Sequence, residues 1–274
     1  MRLGIVMIPR HLSADAASVI DHVSDVARRV EELDFHGLWV TDAFARGWPT
    51  LDPLAVLGAL SAVTHRIELG TCVVQLPIRH PVEHAHRVQT VNLLSRGRLQ
   101  FGIGTGSTRA DFEAVQADFD GRFKALPGML DVMQRTWRGE PVYGPALTQW
   151  PGTEGGPPVL LGAWRSPRWI NLAATRCQGW IASGIYGSLD DARQGLAMFR
   201  EAGGKRAVLA NIFTDLRSEP RTPPITRPLG ISLICPPSAA RERLHQLAEI
   251  GFDDALLACP MDDLGQLEAI RALM

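Results

Sequence analysis

Three glycines punctuate FGIGTGS (101–107). At Gly102, Gly104 and Gly106 the backbone carries no Cβ, so a planar ring or an anion can approach closely. The GxGxxG spacing of a dinucleotide site is missing, as is the acidic residue about 20 positions on, so a tight strand-to-helix turn explains the glycines about as well. A second anion candidate is Arg165-Ser166-Pro167. Ser166 suits a helix N-cap and Pro167 the first helical position, and a helix N-terminus attracts phosphate. The plainer alternative is that Ser166 only caps a helix. His80 and His84 have the i,i+4 spacing of a metal pair. Pro81 between them marks a helix start, His86 points to another face, and Glu83 lies on the wrong side, so no metal is expected. Cys72, Cys177, Cys235 and Cys259 form no CxxC pair, which fits reduced, buried thiols rather than a disulfide framework.

The elements that must carry these residues alternate. Apolar, strand-like runs cover 2–8, 37–41, 66–74, 98–103, 158–163, 179–183, 207–213 and 252–258, and a shorter apolar stretch covers 229–234. Helical spacing covers 15–33, 82–94, 108–117, 122–138, 167–176, 189–202, 238–250 and 262–274. A further helix runs to residue 63, with Asp52 as N-cap and Pro53 at its first position. Pro and Gly crowd 139–157, predicting a long loop of the kind that often covers active sites; a second loop insertion spans 214–230. About eight strands buried on both faces, most followed by a helix, predict one α/β domain over 1–274, a (β/α)8 TIM barrel, ahead of a doubly wound open sheet. In such barrels the functional groups sit at the C-terminal ends of the strands.

Composition narrows the class. The chain has 274 residues, 46% of them hydrophobic, and 28 Lys+Arg against 29 Asp+Glu, which excludes a disordered chain. A net charge of -1 argues against a broad phosphate-neutralising surface for nucleic acid. No apolar run reaches the roughly 18 residues of a membrane span, and the N-terminus has no signal-peptide pattern, so a cytoplasmic protein is expected. Only Lys124 and Lys205 are lysines. The arginine excess reads as coding bias, unless a few arginines bind an anion bidentately.

Specific blocks go further: EELDFHGLWVTD (31–42), LGTCVVQLPIRHP (69–81), LLSRGRLQFGIGTG (93–106), ADFEAVQADFDGRF (110–123), PPVLLGAWRSPRWINLAATRCQGW (157–180) and ARERLHQLAEIGFDDALL (240–257). In this order they resemble the luciferase-like monooxygenase family, flavin- and deazaflavin-dependent TIM barrels related to bacterial luciferase. The resemblance implies a non-prolyl cis peptide at Cys72-Val73 beneath the ring. It implies that Thr71, Gly104, Thr105 and Gly106 line the ring and ribityl chain. It places the cofactor phosphate at Arg165-Ser166-Pro167, with Arg122 holding the same group and Ser183 near the ring's edge. Trp164 is either a ring-stacking partner or, like Trp39, Trp169 and Trp180, a core aromatic. Family members with acid-base or peroxide chemistry often have a histidine after the second strand. Ala43 stands there in VTDAFARGWP (40–49), which leaves Asp42 as the titratable, catalytic candidate. The position of the luciferases' reactive cysteine is Gly104, so light emission is not expected.

The resemblance thus implies an oxidoreductase that uses FMN and oxygen on a small organic substrate, served by a separate flavin reductase. Its alternatives are hydride transfer with the deazaflavin coenzyme F-420 or a flavin-binding barrel without catalysis. A homodimer through the second and third helices is part of the same expectation.

Overall fold

The computed structural model describes residues 1–8, 17–220 and 228–274. Residues 15–16 of the first expected helix and 221–227 of the second expected loop lie outside the described residues. The strands are β1 (Arg2–Met7), β2 (Gly37–Val40), β3 (Glu68–Thr71), β4 (Val74–Gln75), β5 (Leu99–Gly104), β6 (Val159–Gly162), β7 (Gly179–Ser183), β8 (Arg206–Asp215), β9 (Ser232–Ile234) and β10 (Asp254–Ala258). The helices are α1 (Ala17–Glu32), α2 (Pro53–Leu60), α3 (Pro81–Leu94), α4 (Arg109–Glu113), α5 (Arg122–Trp137), α6 (Pro167–Arg176), α7 (Leu189–Glu201), α8 (Pro237–Ile250) and α9 (Gly265–Arg271).

Parallel pairing runs β1-β2-β3-β5-β6-β7-β8, and β10 closes the ring by pairing with both β8 and β1. This is the eight-stranded TIM barrel. The short β4 and β9 pair beside it, with β5 and β8. Side chains alternate between two apolar layers. Val6, Trp39, Cys72, Leu160, Ile181, Val208 and Leu256 fill the barrel, while a larger cluster packs the strands against the helices. Trp39 fits inside because Gly70 has no side chain: a Cβ there would lie 2.2 Å from the indole. At the N-terminal end of the ring Arg206 bonds Glu68 (2.6 Å), Asp254 (2.7 Å) and Gln100 (2.9 Å), and Arg2 also reaches Asp254. That end of a barrel serves stability.

Two expectations need correction, and the long loop can be placed. The run 66–74 is two strands, β3 and β4, with the cis Cys72-Val73 peptide lying between them. The helix expected over 108–117 stops at Glu113, and Gln116 then takes a positive φ of 57°. The loop 139–157 lies against the outside of α3. Trp150 meets the His86 ring edge-on at 5.2 Å, Tyr143 lies 5.9 Å from His80, and the Gln89 side-chain amide donates to Thr153.

Candidate active site

Val73 follows β3 at the C-terminal end of the barrel. Its two methyl groups lie between β5 and β6, where Cβ atoms built on Gly104 and Gly162 would come within 2.7 and 3.1 Å of them. Bare backbone therefore flanks one branched side chain, and the three residues together form a floor of small groups. The expected cis peptide at Cys72-Val73 is present. Thr71 is fully buried, and its hydroxyl donates to the Gly102 carbonyl at 2.7 Å, tying β3 to β5. Burial pushes the Cys72 thiol up to about 12, so it stays protonated.

Beyond Gly104 the chain turns through Thr105 and Gly106, and Gly106 adopts φ 79°. Arg122, at the start of α5, donates from Nε to the Gly106 carbonyl at 3.2 Å. Its guanidinium lies over Phe119 (3.7 Å) and Phe123 (4.3 Å). It is thus a partly buried, stacked cation bonded to the glycine turn.

Trp164, Arg165 and Ser166 lead from β6 into α6. Arg165 adopts a positive φ of 54° and pairs with Asp191 at 3.1 Å. Ser166 occupies the N-cap of α6, but its side chain makes no capping bond. Asp52 and Ser188 do cap α2 and α7 through their side chains. Trp164 is 43% exposed, unlike buried Trp39 and Trp180, and packs against Tyr186 at 5.4 Å. Ser183 ends β7, and its hydroxyl accepts the Ile185 N–H at 3.3 Å. A Cβ on Gly187 would lie 3.3 Å from Trp164 Nε1 and 3.5 Å from the Ser183 carbonyl, which makes Ser183 and Trp164 neighbours. The sequence-predicted residues therefore form two groups, 71–73, 104–106 and Arg122 in one and 164–166 with Ser183 in the other, which meet where Phe123 of α5 packs on Trp169 of α6 at 5.9 Å. Val73 reaches toward both by way of Gly104 and Gly162.

Asp42 lies at the start of the loop after β2. It is buried, and both carboxylate oxygens are engaged: Oδ2 accepts the Gln75 N–H at 2.9 Å, and Oδ1 accepts Arg79 Nη2 at 3.0 Å. Burial pushes its pKa up, against the pull of Arg79 and the Gln75 N–H. Sequence reasoning did not single out Gln75, Arg79, Arg46 or Asp111, which complete this network. No short motif marks them, because their partners are more than 30 positions away. Among the histidines, His84 is buried in α3, and burial lowers its pKa to about 4. His80 is the N-cap of α3, its ring accepting the Glu83 N–H. Among the described residues no group of three His, Cys, Asp or Glu side chains is placed to hold a metal.

Residues 1–213 match the family model described as luciferase-like monooxygenase. The chain belongs to the luciferase-like monooxygenase family. An uncharacterized protein of Mycobacterium tuberculosis is 30% identical over 221 residues, 77% of this chain and 70% of that one. The 4-hydroxyprotoasukamycin monooxygenase of Streptomyces nodosus subsp. asukaensis is 31% identical over 150 residues, 54% of this chain. That match spans only 40% of the Streptomyces protein's own length. Among solved structures, a monooxygenase from Streptomyces bottropensis superposes with TM-score 0.84 at 17% identity, covering 100% of this chain and 98% of the other. The oxygenating constituent of 3,6-diketocamphane monooxygenase from Pseudomonas putida, in complex with FMN, gives 0.78 at 16%, covering 99% and 97%. An F420-dependent secondary alcohol dehydrogenase gives 0.77 at 13%, covering 100% and 98%. At such identities the structural likeness establishes the fold alone.

The luciferase-like family uses flavin or deazaflavin cofactors, and the residues of this luciferase-like barrel fit such a group. The glycine-flanked Val73 floor would accept a flat ring. The Ser166 hydroxyl, unspent on capping, stands at a helix N-terminus where a phosphate is favoured. Among the described residues no helix is long and apolar enough to cross a membrane.

Proposed function

We propose that the protein is an FMN-dependent oxidoreductase that oxygenates a small organic substrate. The observation that carries this reading is the Val73 floor between Gly104 and Gly162, beside an α6 N-terminus whose serine does not cap. In its reduced form, bound FMN would supply the electrons that activate dioxygen. The chain's own residues bind, orient and exclude water. Val73 and the bare backbone of Gly104 and Gly162 support one face of the ring, and Thr71 fixes that floor to β5. Thr105 and Gly106 flank the ribityl chain. Arg122, already stacked and bonded to Gly106, and Ser166 at the α6 N-terminus hold the phosphate. Arg165 is drawn toward Asp191, so it contributes positive potential more than a direct bond. Trp164 and Ser183 border the ring's edge. Asp42, which orients Gln75 and Arg79 and whose pKa burial pushes up, is the titratable group on this side of the site.

The reduced flavin would come from a separate reductase, the arrangement that fits a barrel described as an oxygenating constituent. Exposed Leu93 and Leu94 at the end of α3 support a homodimer through α2 and α3, which sedimentation of the purified protein would test.

The deciding experiment titrates the protein with FMN and, separately, with coenzyme F420, following fluorescence, and then measures oxygen uptake with reduced FMN. Binding of FMN with oxygen uptake is expected. Binding of the deazaflavin alone would overturn the proposal in favour of hydride transfer. Arg122→Ala and Ser166→Ala should each weaken FMN by about tenfold, the size of one lost charge-assisted hydrogen bond; unchanged affinity in both would remove the phosphate assignment.

A further inference from the structure

The loop between β2 and α2 lacks the family's histidine, yet it is tied at several points. Asp111, in α4 just beyond the glycine turn, is fully buried. Its Oδ1 accepts the backbone N–H groups of Ala45 (2.9 Å) and Phe44 (3.4 Å). Its Oδ2 accepts Arg46 Nη2 (2.9 Å) and Nε (3.2 Å) and Gln75 Nε2 (2.8 Å). The other end of Gln75 returns to the loop, because its backbone N–H donates to Asp42. Arg79 bonds Asp42 and lies 3.9 Å from Asp52, the N-cap of α2 where the loop ends. Start, middle and end of the loop are therefore each held by a charge.

A carboxylate taken wholly out of water is costly unless its lone pairs are filled. Burial pushes the Asp111 carboxyl up, but the donors from Ala45, Gln75 and Arg46 outweigh it and hold the group below the ordinary carboxylate range. The donors come from the β2–α2 loop and from β4, so removing the carboxylate releases both segments together. Gln75 also underlies the glycine turn, since a Cβ on Gly106 would meet its Oε1 at 2.8 Å.

We infer that Asp111 is a positioning residue: it latches the 43–50 loop as a preformed wall of the mouth and, through Gln75, supports the Gly104–Gly106 turn. This rests on the mouth being the cofactor site proposed above. Held by these bonds, the loop acts as a wall of the mouth rather than as a lid. Loop and turn share one carboxylate but have different second partners, which makes the two roles separable.

The test compares Asp111→Ala, Asp111→Asn and Arg46→Ala with the unaltered protein, by hydrogen exchange of peptides covering 41–50, by melting temperature and by FMN titration. In Arg46→Ala, exchange over 43–46 should rise about tenfold while FMN affinity stays within about twofold, because Gln75 keeps its acceptor. In Asp111→Ala, loop exchange should rise at least as far and FMN affinity should fall about tenfold, because both segments are freed. Asp111→Asn keeps an oxygen for the Ala45 and Phe44 N–H groups and should fall between. Unchanged loop exchange in Asp111→Ala would overturn the latch, as would a rise spread evenly over the barrel. If the unaltered protein binds neither FMN nor coenzyme F420, the functional proposal fails, while loop exchange still decides whether Asp111 latches the loop.

Discussion

At Gly104 a single carbon atom decides how flat the mouth can be. A Cβ there would approach a Val73 methyl to 2.7 Å, closer than real contacts allow, so Gly104→Ala should push Val73 toward the space above it. Overpacking of this kind costs about 1–3 kcal/mol, and here it is expected to appear mainly as weaker FMN binding. Val73→Ala combined with Gly104→Ala should restore part of the affinity, because the clashing methyl is gone. Titration of the single and double variants checks this, and additive losses would contradict it. The same scale explains Trp39. Its ring fills the barrel only because position 70 is glycine, so Trp39→Ala should leave a cavity and destabilise by about 3–5 kcal/mol, read from denaturant unfolding.

At the element scale the informative contrast is between helix N-termini that look alike in sequence. Asp52 accepts from Leu54 and Ala55 N–H, and Ser188 forms a capping box with Asp191. Ser166 stands in the same position ahead of Pro167 and makes no such bond. Asp52→Ala should therefore lower stability by about 1 kcal/mol, visible in the melting temperature, and its 3.9 Å contact with Arg79 adds to that loss. Ser166→Ala should leave the melting temperature unmoved and act only on cofactor affinity. Equal stability losses in the two variants would show that Ser166 is a cap after all. The loop 139–157 teaches a related point: Pro and Gly density marks irregular backbone, but which surface it lies on is set by where Tyr143, Trp150 and Thr153 find partners.

Across the whole molecule, the proposed site and the Arg206 charge cluster occupy opposite ends of the barrel. At the N-terminal end, burial pushes the Glu68 carboxyl up, but His36 and Arg206 outweigh it and hold the pKa down at about 2. A carboxylate whose folded pKa lies below its unfolded value contributes stability that is complete above the unfolded pKa, near 4.5, and lost as pH falls toward 2. Acid unfolding should therefore steepen through that window. In Glu68→Gln the protein should be less stable at pH 7 and lose less between pH 4.5 and 2, measured by denaturant unfolding at several pH values. An unchanged pH slope would show that the Glu68–Arg206 pair contributes nothing to acid sensitivity.

Much of this architecture was legible in the chain, because it rests on local pattern. Runs buried on both faces, alternating with helical spacing, gave the barrel, and Asp52-Pro53 gave a helix start. The glycine turn and the Cys72-Val73 block carried the family resemblance, since close backbone approach demands particular residues at particular positions. Pairwise matters over long sequence separation were not legible. That Asp111 meets Arg46 and Gln75, that Arg122 stacks on Phe119 and bonds Gly106, and that Asp42 is already satisfied depend on loops converging at one end of the ring. Hydrophobic periodicity sets the layers of a fold, whereas the partner of a buried charge is set by whichever donors the closed barrel brings within 3 Å, and no spacing rule along the chain encodes that.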